Sequence, residues 1–260
     1  MASYLGPPHA DHVPEGPVAQ PMTKPGLFAA MHAQGLSLAQ GFDEANARPN
    51  HYQDLLQDFL SKVRPDVIVE TGSATGISTD RILTALDKNE RGILHSIDPE
   101  PCAVLFDIEH RRWRAHRAFS QDLLEHIYQA TGTWDVFLHD SDHGVWCQTF
   151  EYEVAWHFVR AGGYILSDDT TWGSPAHHAW KKFCERHDVT PNKLGNCGVV
   201  MKPPPDAPKL STEGISYVMQ AARNLADTAY RAYCQIPGAT DQPSGGVGNG
   251  ASKTHPGAKL

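Results

Sequence analysis

The stretch DVIVETGSATGIS, residues 66–78, decides the fold. Its first half is an apolar, β-branched run of the length expected for a strand buried on both faces. Its second half carries Gly72 and Gly76 and opens a helical pattern at Ile77, so strand, glycine turn and helix follow one another without a spacer. Glycines in such a turn let backbone approach a ligand, and the helix N-terminus presents unpaired N–H groups to it. The plainer alternative is a tight turn of a βαβ unit with no ligand.

Working outward, ILHSID (93–98), WRAHRAF (113–119), WDVFLHD (134–140) and GYILSD (163–168) read as further strands, with helices near 52–63, 77–88, 120–130, 144–160 and 174–187 between them. Residues 189–201 form two extended segments joined through Gly195 and Asn196, a terminal hairpin. A last helix near 211–235 carries an apolar stripe of Ile215, Val218, Met219, Ala222, Leu225 and Ala226. That stripe is expected to dock on its own domain, with a homodimer interface as the second reading. Alternation of this kind defines the α/β class: a Rossmann-like, doubly wound, mainly parallel seven-stranded sheet with helices on both faces.

The chain has 260 residues, 40% hydrophobic and 20% charged, the composition of a globular protein. Prolines 7, 8, 14, 17, 21 and 25 leave no helix interior in residues 1–25, which reads as an extended or disordered arm. Residues 236–260 are rich in Gly, Ser and Pro and read as a flexible tail. One domain is therefore expected over residues 26–235. Twenty-two Lys and Arg against 30 Asp and Glu give a net charge of −8, which offers no general attraction to nucleic acid or anionic lipid. No apolar run approaches the ~20 residues of a membrane helix, and residues 1–16 lack the pattern of a secretory leader. Five cysteines without C-x-x-C spacing read as reduced, mostly buried thiols, so a cytoplasmic location is expected.

In an open parallel sheet, ligands bind beyond the carboxyl ends of the strands. TGSATGIS superficially fits the glycine turn of short-chain dehydrogenases, which bind a dinucleotide, but no tyrosine here has a lysine four residues later, as that family's active site requires. Glu70 beside the turn repels a pyrophosphate and suits the cationic amine and sulfonium of S-adenosylmethionine. Glu70, Gly72, Gly76 and Ser78 together form E-x-G-x-x-x-G-x-S, which resembles motif I of class I S-adenosylmethionine-dependent methyltransferases. The resemblance implies cofactor contacts from Glu70, Gly72, Ser73, Gly76 and Ser78, ribose binding by Asp98, and a cofactor-side role for Asp140. Ser120-Gln121-Asp122 is similar to the S-Q-D segment of catechol O-methyltransferases, which implies that Ser120 and Gln121 meet adenine. The local alternatives are a turn cap at Asp98 and a helix N-cap at Ser120.

After the fourth strand comes His139-Asp140-Ser141-Asp142-His143, and after the fifth Ser167-Asp168-Asp169. If those strands are neighbours, Asp140, Asp168 and Asp169 converge, and three uncompensated carboxylates need a cation among them. Hard oxygen ligands select Mg²⁺ or a similar divalent ion. The arrangement resembles metal-dependent small-molecule O-methyltransferases, more closely the macrocin O-methyltransferase and cephalosporin-hydroxylase-like group, over roughly residues 50–202. Departures are His139 in place of an apolar residue and Gly-Val-Trp after His143. The chemistry implied is Lewis-acid activation of a hydroxyl on a small acceptor, a glycosyl or phenolic group of a secondary metabolite. His143 is the first choice of base and Asp142 the second. The competing functions are a nicotinamide-dependent oxidoreductase and a catalytically silent S-adenosylmethionine-binding protein.

His177 and His178 read as surface or capping residues, Trp146 and Trp172 as core residues, and Glu151 and Glu153 as a solvated helix face.

Overall fold

The computed structural model describes residues 52–100, 109–170, 175–205 and 209–239. The arm at 1–25, the expected opening of the domain from residue 26, Cys102, Trp172 and the tail beyond 239 lie outside these residues.

In chain order the elements are α1 (Tyr52–Val63), β1 (Val67–Thr71), α2 (Ile77–Asn89), β2 (Ile93–Ile97), β3 (Trp113–His116), α3 (Ser120–Thr131), β4 (Trp134–His139), α4 (Val145–Phe158), β5 (Val159–Ser167), α5 (Pro175–Arg186), β6 (Asn192–Leu194), β7 (Cys197–Met201) and α6 (Thr212–Tyr233). The strands form one seven-stranded sheet in the order β3-β2-β1-β4-β5-β7-β6. Pairing is parallel from β3 across to β5, and β7 is antiparallel to both β5 and β6. Strand order reverses between β1 and β4, so the crevice of a doubly wound sheet opens there.

Register then aligns the chemistry. Thr71 stands opposite Ile97 on one side and His139 on the other, His139 opposite Ser167, and Ser167 opposite Gly198. The next residue along each parallel strand therefore shares one edge: Asp98, Gly72, Asp140 and Asp168. Because β7 runs the other way, the Gly195–Asn196 turn reaches the same edge.

Side chains alternate across the sheet. Phe137, Ile165 and Val69 pack on one face with Tyr152, Phe158, Phe183 and the stripe of α6, whereas Val136, Leu138 and Leu166 pack on the other with Tyr52, Leu56, Leu60, Ile82 and Leu86. Leu225 apart, every residue of the expected α6 stripe is buried, and the helix lies along α4. Ser211 caps it by accepting the Gly214 N–H at 3.1 Å.

Two boundaries differ from the sequence expectation. β5 begins at Val159, four residues early, because the apolar pattern of α4 runs into it without a breaker and the chain turns extended at Val159 itself. β3 stops at His116, three residues short of Phe119. Among the described cysteines, Cys184 and Cys197 are buried, Cys147 is half-buried and Cys234 is exposed, all free. No helix of the described residues is long and apolar enough to cross a membrane.

Candidate active site

The glycine turn is built on protein contacts first. Gly72 has φ +81°, and a Cβ there would lie 1.9 Å from the Asp140 carbonyl oxygen. The glycine makes room for the end of β4, a close approach of backbone to backbone where the sequence pointed to a ligand. Gly72 N–H donates to Ile97 O at 2.8 Å and Asp140 N–H to Thr71 O at 2.9 Å, which locks the ends of β1, β2 and β4 together. Gly76, at φ 87°, is the N-cap of α2.

Glu70 and Ser78 are engaged with each other. Glu70 is fully buried beneath the turn and accepts hydrogen bonds from Ser78 Oγ (2.5 Å), Thr79 Oγ1 (2.8 Å) and Ser96 Oγ (2.6 Å). Burial raises its pKa while those hydroxyls draw it down. The carboxylate fastens the turn from below and Ser78 is one of its fasteners.

Asp98 Oδ2 accepts from the backbone N–H groups of Ser73 (3.0 Å) and Ala74 (2.8 Å), and its Oδ1 from Glu100 N–H (2.8 Å). It organises the turn from the end of β2, as the capping alternative expects. Ser120 heads α3 with its side chain hydrogen-bonded to Glu151, and the Gln121 carbonyl accepts from Arg223 Nη2 at 2.9 Å. The Ser120 hydroxyl is therefore directed inward, to protein.

At the ends of β4 and β5 the acids do come together in part. Asp140 and Asp168 hydrogen-bond each other through their carboxyls. Tyr52 O–H donates to Asp140 Oδ2 at 2.5 Å. Asn196 Nδ2 donates to Asp168 Oδ1 at 2.7 Å while its Oδ1 accepts from Tyr52 N–H at 3.0 Å. Burial, followed by the Asp169 charge, pushes Asp168 up to about 6, and burial with the Asp168 charge lifts Asp140 well above the usual carboxylate range. Asp169 departs from the expected triad. Its backbone is in the left-handed region at φ 51°, and its Oδ2 lies 3.5 Å from His143 Nδ1. Accordingly, among the described residues no group of three or more His, Cys, Asp or Glu is arranged to hold a metal ion. Tyr52 and Asn196 stand against the half-buried Asp140 and the buried Asp168 instead.

His143 Nε2 is 3.9 Å from Asp140 Oδ1, buried, and without a hydrogen-bond partner. Burial, then the neighbouring His139, lowers its pKa to about 4. Asp142 Oδ1 accepts from Gly144 N–H at 2.8 Å and so shapes the start of α4.

Glu151 and Glu153 are not a solvated face; both are buried. Helix α4 is apolar nearly all round, and such a helix lies inside the protein, acids included. That signal was available in the sequence. Glu153 pairs with Arg186 and His187 on and just beyond α5, whereas Glu151 meets His139 Nδ1 at 2.6 Å. Trp146 packs on Phe150 and donates from Nε1 to Asp227 of α6 at 2.7 Å, a packing role as expected. His177, in the first turn of α5, lies with Nδ1 3.2 Å from Thr170 O.

A glycine turn on β1, an acid just beyond β2, and acids just beyond β4 and β5, set on this strand order, are the features that the resemblance to class I S-adenosylmethionine-dependent methyltransferases leads one to expect. A family model described as a methyltransferase domain matches residues 69–170, from within β1 to just past the acids after β5. No curated protein sequence matches the chain significantly. Similar solved structures include an O-methyltransferase from Bacillus cereus in complex with SAH (17% identity, 68% of this chain and 90% of that one, TM-score 0.48). Others are the O-methyltransferase TomG from Streptomyces achromogenes, in complex with SAM (18% identity, 68% and 89%, TM-score 0.48), and a caffeoyl-CoA O-methyltransferase, so described, from Staphylococcus aureus (14% identity, 68% and 97%, TM-score 0.49).

Proposed function

We propose that this chain transfers the methyl group of S-adenosylmethionine to a hydroxyl oxygen of a small hydroxylated molecule, a glycosyl or phenolic secondary metabolite, with help from a divalent cation such as Mg²⁺. The observation that carries this reading is the Asp140–Asp168 pair: two carboxyls in contact, one residue beyond the neighbouring strands β4 and β5, the first half-buried and the second buried, with no Lys or Arg paired to either among the described residues. Two such groups cannot both ionise without a counter-ion. Their oxygen donors fit a hard divalent cation, which Asp140 and Asp168 would hold with Asp169 at the rim. When bound, the ion lowers the pKa of an acceptor hydroxyl and orients its oxygen.

The chain's own groups then divide the remaining work. The backbone of Gly72–Gly76, with Asp98, Ser120, Gln121 and Asp140 around it, forms the donor's berth. His143, held unprotonated at neutral pH, offers Nε2 for the acceptor's proton, and Asp169 stands 3.5 Å from Nδ1 to stabilise the imidazolium that results. The acceptor oxygen attacks the methyl carbon, the carbon–sulfur bond breaks toward sulfur, and S-adenosylhomocysteine leaves neutral at sulfur.

Calorimetric titration with S-adenosylhomocysteine and with NADH, followed by an acceptor screen with Mg²⁺ or EDTA, tests the proposal. The expected result is binding of S-adenosylhomocysteine alone and methyl transfer that EDTA abolishes. Tight NADH binding overturns the methyl-donor reading, and equal turnover in EDTA overturns the metal's part.

A further inference from the structure

Glu151 is a buried charge that the reaction outlined above does not use. Burial pushes its pKa up, yet His139 and the surrounding hydroxyls outweigh that and hold it below the usual glutamate value, so the carboxylate is ionised. Its donors come from separate parts of the sheet edge. Thr71 Oγ1, on the last residue of β1 before Gly72, donates at 2.6 Å, and His139 Nδ1, on the last residue of β4, at 2.6 Å. Ser141 Oγ, between Asp140 and Asp142, donates at 3.0 Å, and Ser120 at the head of α3 completes the ring.

Each donor sits next to a residue assigned to the donor's berth: Thr71 beside Gly72, His139 and Ser141 on either side of Asp140, Ser120 beside Gln121. One carboxylate on α4 thus ties three loops that are far apart in sequence. A carboxylate accepts at both oxygens, whereas an amide replaces half of that capacity with donors, so the arrangement is specific to an acid. His139 is drawn into the same contact, with its ring centre 5.6 Å from that of His143 and its Nε2 buried without a hydrogen-bond partner. The histidine at this strand end and the acid twelve residues later are matched.

We propose that Glu151 is a positioning residue for methyl-donor binding: it holds the ends of β1 and β4 and the head of α3 at the spacing the donor needs, and keeps the His139 ring beside His143. This rests on the proposed function. Glu153 is the internal comparison, since it is buried on the same helix and ion-paired, yet its partners Arg186 and His187 are not in the berth.

The test measures the dissociation constant of S-adenosylhomocysteine alongside thermal melting for wild type, Glu151→Gln, Thr71→Val, Ser141→Ala and Glu153→Gln. Glu151→Gln is expected to weaken binding at least about tenfold, and Thr71→Val or Ser141→Ala about threefold, roughly one lost hydrogen bond's worth. Glu153→Gln is expected to lower the melting temperature while leaving binding within about twofold, because its lost ion pair lies outside the berth. Wild-type affinity in folded Glu151→Gln overturns the proposal. If that variant does not fold, wild-type affinity in both Thr71→Val and Ser141→Ala overturns it. Equal weakening by Glu153→Gln also overturns it, since a general loss of stability then explains the effect. A wild-type protein that does not bind S-adenosylhomocysteine removes the methyl-donor reading itself, a result distinct from all of these.

Discussion

Glu70 and Asp168 are both buried acids at the ligand edge of the sheet, but their surroundings are opposite in kind. Glu70 receives hydrogens from three hydroxyls, whereas Asp168, with hydrogens from the Asn196 amide and the Asp169 backbone N–H, faces the carboxyl of Asp140. Glu151 belongs with Glu70 in being ringed by donors. A buried acid whose donors come from its own fold is part of the scaffold. One that meets a second acid leaves a demand for a proton or a cation, and so marks where chemistry is to be sought.

Glu70→Ala breaks the first side of this comparison. It strands the hydroxyls of Ser78, Thr79 and Ser96 in the interior, and unfolding by urea is expected to show a loss of about 3–5 kcal/mol. A loss below about 1 kcal/mol would mean that the three bonds contribute little.

Asp168→Asn acts with the opposite sign. An aspartate at about 6 in the folded protein, against an ordinary 3.8, favours the unfolded state once it ionises. Native stability from this group therefore falls as pH rises from about 4 to 6 and stays low above that. In EDTA, the variant is expected to match wild type near pH 4 and exceed it by on the order of 3 kcal/mol at pH 7. Mg²⁺ should restore wild type and leave the variant unchanged. A pH-independent difference would show that the two acids do not repel.

Tyr52→Phe is the smallest and sharpest of these changes. Loss of the donor to Asp140 is expected to lower stability by about 1.5 kcal/mol in EDTA at neutral pH, again by urea unfolding. A stabilised variant would show that the phenol adds to the strain of the acid pair instead of relieving it.

Element order was readable because the apolar runs of β1, β2, β4 and β5 are short, and the helices between them carry their own periodicity. The β5 start was not, since nothing polar separates Phe158 from Val159. Within the site, Asp98, Asp140 and Asp168 were legible as strand-end acids, because register alone puts such residues at one edge. The direction of Glu70 and the partners of Ser120 were not, because strand alternation and helix rotation decide which neighbour a side chain meets. Tyr52 lies 88 residues from Asp140 and Asn196 lies 28 from Asp168, distances over which local pattern carries no information. Glu151 differs from the solvated-face expectation for another reason: the apolar composition of its helix places even its acids inside the protein.

The reversed strand β7 separates two things that parallel strands keep together. Along β1, β4 and β5 the residue that serves the site follows directly from the core of the strand, so its neighbours are fixed by packing. Asn196 instead sits at the tip of a hairpin, where residues can be exchanged, added or removed without disturbing the pairing of β7 with β5. The groups beside Asp168 can therefore vary in evolution, or in the laboratory, largely independently of the sheet that holds the acids.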